Sequence, residues 1–184
     1  MRLQLKHFHQ ADLHTCGWCA CRVVYQHYGV RNTKHLRTAL KVDMPALSFL
    51  PSTIGVVPWD LLCVLRADGF LPDILPVNGL SLTTICNRLD QGHPTIALQG
   101  GAGVIPHWNV IGGHSSVYLH IMDSISAAPG WWRIPKDDSV GHFNMFLSIT
   151  GYDGQSRKTT ILNKMKSVPK LAKVWKMCPK IRRS

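Results

Sequence analysis

The sequence predicts an α+β fold, with helices packed on an antiparallel β-sheet. Three observations predict it. Helical punctuation fills the first half of the chain, whereas after Pro94 the segments turn short and β-rich. An apolar content of 45% over 184 residues, with scattered charge, is that of a globular chain able to bury a core.

The elements follow in order. Thr15 is a candidate N-cap, Trp18, Ala20, Val23, Val24 and Tyr28 follow it, and Gly29 sits where a C′ glycine belongs. A second helix is expected after Thr33, through "KHLRTALKV". A third opens at Pro58 and ends before Gly69, with Leu61, Leu62 and Leu65 on one face. A fourth runs from Ser81 to about Gln91 and stops at Gly92. Then "TIALQ", "HWNVIG", "SVYLHIM", "FNMFLSITGY" and "KTTILNK" read as strands separated by Gly, Ser and Asp. There is no internal repeat.

Charge divides the chain. Of the net +11, nearly all lies after residue 156, where 10 Lys and Arg stand with no acid. Residues 1–156 are therefore expected to form the domain and 157–184 a basic C-terminal extension. In "KLAKVWKMCPKIRR", Leu171, Val174 and Trp175 interleave with lysines, which suits contact with a polyanion or an anionic membrane surface. A solvated like-charge run is the plainer reading, and Pro169 and Pro179 argue against one long helix there. The N-terminal "MRLQLKHFHQADLH" lacks an apolar core and no run of 18 apolar residues occurs, so neither signal peptide nor transmembrane segment is expected. The expected location is cytoplasmic, with non-classical export or injection left open. No cofactor or metal is expected, and nothing specifies an oligomeric state.

The segment "QADLHTCGWCACRVVYQHYG" places Cys16, Cys19 and Cys21 within six positions. Cys16-Gly-Trp-Cys19 has redox spacing, but "HFHQADLHT" before it is not the buried strand a thioredoxin-like site requires. A zinc site of His14, Cys16, Cys19 and Cys21 lacks a second ligand pair, since Cys63, Cys86 and Cys178 are solitary. Cys19 and Cys21 read as buried mid-helix residues. Cys16 opens the helix, where unpaired N–H groups and the macrodipole favour an anion, the setting of a nucleophilic thiolate. Gln10, six residues upstream, can aim its amide back at the helix start to hold an oxyanion.

That segment resembles the N-terminal motif of papain-like peptidases that cleave bacteriocin leader peptides after a double glycine. In that family a glutamine lies six residues before a Cys-Gly, and an aromatic-Gly pair, here Tyr28-Gly29, closes the helix. "STIGVVPWDLLCVLRADGF" is similar to the second block, "GHPTIALQGG" to the strand before the histidine, and "PHWNVIGGHSSVYLHIMDS" to the histidine hairpin with "GGHSS" as its turn. The resemblance covers residues 8–125 and implies a papain-like fold, a cysteine peptidase, and a peptide or protein substrate. It implies Cys16 as nucleophile, His107 as general base and acid, Asp123 as the residue orienting the imidazole, and Gln10 with the Cys16 N–H as oxyanion hole. Hairpin geometry brings His107 and Asp123 side by side. Two positions depart from the family pattern: Thr15 stands where an acid is common, and Ser124 where proline follows the aspartate.

"GHFNMFLSITGYDGQSRKTTILNK" offers a rival pair, His142 and Asn163, though His107 is favoured because the Pro94 strand precedes it. The other histidines are expected at the surface or in packing, and Trp108, Trp131 and Trp132 in core or rim. The same constellation serves hydrolysis of a peptide or isopeptide bond, or acyl transfer to an amine. A non-catalytic peptide-binding module of the same fold is the competing class.

Overall fold

The structure is a computed structural model that describes residues 1–10, 12, 15–40, 56–100, 106–126 and 131–154. His14, Asn163, Cys178, the "KTTILNK" strand and the basic extension lie outside the described residues.

Three helices come first: α1 (Cys16–His27), α2 (His35–Ala39) and α3 (Pro58–Ala67). Then β1 (Phe70–Leu75), α4 (Gly79–Asp90), β2 (Thr95–Gln99), β3 (His107–His114), β4 (Tyr118–Met122), β5 (Trp131–Pro135), α5 (Lys136–His142) and β6 (Phe143–Tyr152) follow. The strands form one antiparallel sheet in the order β1-β6-β2-β3-β4-β5. The α+β expectation holds.

Helix punctuation works largely as the sequence predicts. Tyr28 and Asp68 cap α1 and α3, and Gly29 and Gly69 follow at φ +78° and +89°, a left-handed conformation that glycine adopts without a Cβ clash. Helix α4 starts two residues before the expected Ser81, because the Asn78 side chain accepts from the Ser81 N–H at 2.9 Å and caps the turn. Helix α2 spans only five residues.

The sheet is buried on both faces. Ile96, Trp108, Val110, Met122, Leu147 and Ile149 pack with α1, α2 and α3. Ala97, Ile111, Leu119, Ile121 and Phe146 face the other way and pack with Leu82, Ile85 and Leu89 of α4. Two-residue alternation sorts these neighbours to opposite sides. Beneath α1, the buried Tyr25 hydroxyl donates to Asp68 Oδ2 at 2.6 Å, and His35 Nε2 lies 2.7 Å from the same oxygen, tying α1, α2 and the end of α3 together.

Three elements were not expected: β1, β5 and α5. Strand β1 is an edge strand carrying Pro72, tolerated there because one side of an edge strand needs no ladder donor. A further correction concerns "GGHSS". Strand β3 continues through His114, and the turn begins at Ser115, whose Oγ accepts from the N–H groups of Val117 and Tyr118. The glycines serve the N-terminal segment instead. Leu3 N–H donates to Gly112 O at 2.7 Å, Arg2 bridges Gly113, and a Cβ on Gly112 would stand 2.4 Å from Leu5 Cδ1.

Candidate active site

Helix α1 begins at Cys16, which is 1% exposed. Thr15 occupies the N-cap position but makes no side-chain cap bond, contrary to expectation. Its hydroxyl donates to Asp12 O at 3.2 Å, so the first N–H groups of α1 are not taken by a capping side chain. Gly17 follows for a steric reason. A Cβ there would lie 2.6 Å from Val56 Cβ and 3.0 Å from Trp108 Cδ1, and the Trp108 indole N–H is itself fixed by Val56 O at 2.7 Å. Cysteine followed by glycine thus lets the helix start sit close to the sheet.

His107 is the first residue of β3, and Asp123 directly follows β4. The antiparallel register pairs Val110 with Met122, which puts both near the same end of the hairpin. His107 Nε2 donates to Asp123 Oδ1 at 2.7 Å, and the Cys16 thiol is close enough to act on the charge of the imidazole. Burial pushes the His107 pKa down, but the bonds to Asp123 and Cys16 outweigh it and push it up to about 9. Burial likewise works against the Asp123 carboxylate. Donation from His107, and from the Ile125 N–H at 2.9 Å, nonetheless holds it below its ordinary value. Both shifts favour an imidazolium beside a carboxylate.

By alternation His107 shares a face with Asn109, while Trp108 and Val110 lie under α1. The imidazole reaches Cys16 because it stands at the strand's first position, where α1 begins. Asn109 Nδ2 donates to Gln99 Oε1 at 2.8 Å, bracing the strand beside it.

Gln10 is buried on the same side. Its backbone N–H donates to Ser124 O at 2.9 Å, and its Oε1 accepts from Ser124 Oγ at 2.6 Å. Ser124 thus engages the oxygen end of the Gln10 amide and not its nitrogen. His7 Nε2 lies 2.9 Å from Asp123 O and His9 Nδ1 3.2 Å from Ser124 O, so the arm from residue 7 to 10 is strapped along the end of β4. From the sequence these two histidines read as surface or packing residues, and Ser124 stands out only as a departure from the family's proline, with no role attached. The one available signal was a hydroxyl residue directly after Asp123.

The remaining candidates separate clearly. Cys19 is fully buried, and burial pushes its thiol up to about 12; burial pushes Cys21 up as well. Both are free thiols, as is Cys16. Among the described residues no group of three or more His, Cys or Asp could hold a metal ion. His142 is exposed at the end of α5, and His107 is the imidazole brought to Cys16. Among the described residues no helix is long and apolar enough to cross a membrane.

No family model and no curated protein matches the chain. Solved structures do. The peptidase domain of Streptococcus ComA, a bi-functional ABC transporter involved in a quorum sensing pathway, superposes with a TM-score of 0.58 at 18% identity, covering 80% of this chain and 100% of that one. A double glycine motif protease from an AMS/PCAT transporter, in complex with the leader peptide, gives 0.56 at 16% identity over 80% of this chain and 93% of that one. The peptidase domain of Streptococcus mutans ComA with a small molecule inhibitor gives 0.51 at 17% identity, over 78% and 96%. Helices on one antiparallel sheet, met in the same arrangement in these neighbours, give this chain the papain-like α+β fold of the double-glycine peptidase domains.

Proposed function

We propose that the chain is a cysteine peptidase acting by acyl transfer through a thioester. The reading is supported by one observation: the His107–Asp123 pair, joined at 2.7 Å, stands beside Cys16 at a helix N-terminus. A positive imidazole beside the Cys16 sulfur favours its attack on a carbonyl. The Cys16 sulfur attacks the substrate carbonyl, and the oxygen takes the negative charge. The Cys16 backbone N–H and the Gln10 amide nitrogen donate to that oxyanion. His107 then gives its proton to the leaving amine, and the thioester remains. Water, deprotonated by His107, releases the acid and regenerates the thiol. Asp123 holds the imidazole in place and stabilises its charge throughout.

The nearly covered sulfur suits a carbonyl flanked by small residues, and one solved neighbour is described as a double glycine motif protease. We therefore take the substrate to be a peptide cleaved after small residues such as Gly-Gly. The same thioester yields acyl transfer when an amine replaces water. Residues 1–156 carry this activity in our reading, and 157–184 form the basic extension.

The test uses synthetic peptides containing an internal Gly-Gly pair, with products identified by mass. Cleavage should follow the second glycine and vanish in Cys16→Ala and in His107→Ala, while His142→Ala cleaves normally. Adding a small amine divides the product between acid and amide if transfer is open. Cleavage that survives Cys16→Ala in purified protein overturns the proposal.

A further inference from the structure

We infer that Ser124 is the positioning residue that sets the Gln10 amide for oxyanion stabilisation, an inference that rests on the peptidase reading above. A carboxamide can turn end for end with almost no change in shape. Only one of the two orientations helps: Nε2 outward donates to a developing oxyanion, whereas Oε1 outward repels it. The Ser124 hydroxyl donates to Oε1 at 2.6 Å, so the oxygen is the end it holds and the nitrogen is the end available to an oxyanion. Gln10 and Ser124 are 6% and 7% exposed, so water competes poorly for this bond. Donation to Oε1 also polarises the amide and strengthens the N–H groups at its other end.

The backbone makes the pairing specific. Gln10 N–H donates to Ser124 O at 2.9 Å, and the His9 ring holds the same oxygen. The two residues are therefore docked main chain to main chain before their side chains meet. Ser124 directly follows Asp123, so the carboxylate that orients His107 and the hydroxyl that orients Gln10 are carried by one dipeptide. Any shift at this point of the chain moves both halves of the catalytic apparatus together.

The test uses p-nitrophenyl acetate, which acylates a thiolate with release of p-nitrophenolate and needs no knowledge of the natural substrate. The Sγ–C bond forms, the ester C–O bond breaks, and the carbonyl oxygen passes through an anion. Ser124→Ala should slow this acylation roughly three- to tenfold, the effect of one lost buried hydrogen bond. Alkylation of Cys16 by iodoacetamide, which forms no oxyanion, should keep its rate. Ser124→Thr should recover most of the loss. In a Gln10→Ala background, Ser124→Ala should have no further effect. If the alanine variant loses alkylation as well, Ser124→Thr is compared with its isostere Ser124→Val, which differs by the hydroxyl alone. Equal acylation by wild type and Ser124→Ala, or by the Thr and Val variants, or an undiminished Ser124→Ala effect without Gln10, overturns the inference. Acylation that persists in Cys16→Ala overturns the peptidase reading instead.

Discussion

Asp123→Asn isolates the charge that keeps His107 protonated. The substitution preserves shape at a residue 2% exposed, and the amide oxygen still accepts from His107 Nε2 and the Ile125 N–H. What disappears is the negative charge. Burial alone drives the imidazole below 6.5, and the pairing with Asp123 and Cys16 carries it to about 9. At pH 7.5 a group titrating at about 9 is roughly 97% protonated, and one at 6.5 roughly 9%. Losing the Asp123 charge removes one of the upward causes and leaves those from Cys16, so the protonated fraction of His107 should fall between these bounds and alkylation of Cys16 by iodoacetamide should slow by up to about tenfold. The high-pH limb of activity, near pH 9 in the wild type, should move down toward neutrality. Stability follows the same sign. His107 titrates above 6.5 in the folded chain, so it favours folding fully below that value and loses this contribution as pH climbs through about 9. Asp123, held below its ordinary value, contributes above about 3.8 and loses its contribution as pH falls. The assay is NMR titration of the histidine ring carbons in both proteins, beside the alkylation rates. A His107 midpoint unchanged in Asp123→Asn would refute the electrostatic account.

Limited iodoacetamide labelling followed by mass mapping should modify Cys16 and spare Cys19 and Cys21, whose thiols burial holds protonated; equal labelling, or a Cys16–Cys19 disulfide, revives the redox reading. Gly17→Ala should destabilise the fold by about 1–3 kcal/mol in urea unfolding, because the new methyl group overlaps Val56 and Trp108. A wild-type midpoint would mean that the helix start can shift at no cost. Ending the chain at residue 156 should leave a folded domain with weaker, less salt-dependent heparin binding, since 10 of the 21 Lys and Arg lie beyond that point; salt-independent binding in the full chain refutes the electrostatic role.

The parts of the fold legible in the sequence are those whose signals are local. Gly29, Pro58, Gly69 and Gly92 mark helix ends because capping depends on the residue itself, and "TIALQ" and "FNMFLSITGY" match β2 and β6 to the residue. The elements that escaped have signals that compete. "FLPDIL" contains a proline that argues against a strand, and only its edge position next to β6 removes the objection. The "WWRIP" strand is set by pairing with β4, including Ile121 opposite Trp132, which no local pattern announces. Gly112 and Gly113 read as a turn because glycine usually marks one. Their actual role, close approach of a segment more than a hundred residues away, has no local trace.

The candidate site divides the same way. His107 and Asp123 lie on one hairpin, so spacing alone placed them together, and Cys16 was marked by its helix start. Gln10 was legible as an amide six residues before a cysteine, but not as one with a partner. That partner is 114 positions away, and no periodicity joins them. The bond exists because the arm carrying His7, His9 and Gln10 runs along the end of β4, held by backbone carbonyls at Asp123 and Ser124. Carbonyls are present at every residue and carry no sequence signature. A site assembled from side chains on one element can be read from spacing; a site completed by an arm docked on backbone atoms becomes visible only in three dimensions. For the same reason, substitutions at Gly112 or Gly113 that lift the arm should disturb Gln10 from a distance, with neither glycine in contact with it.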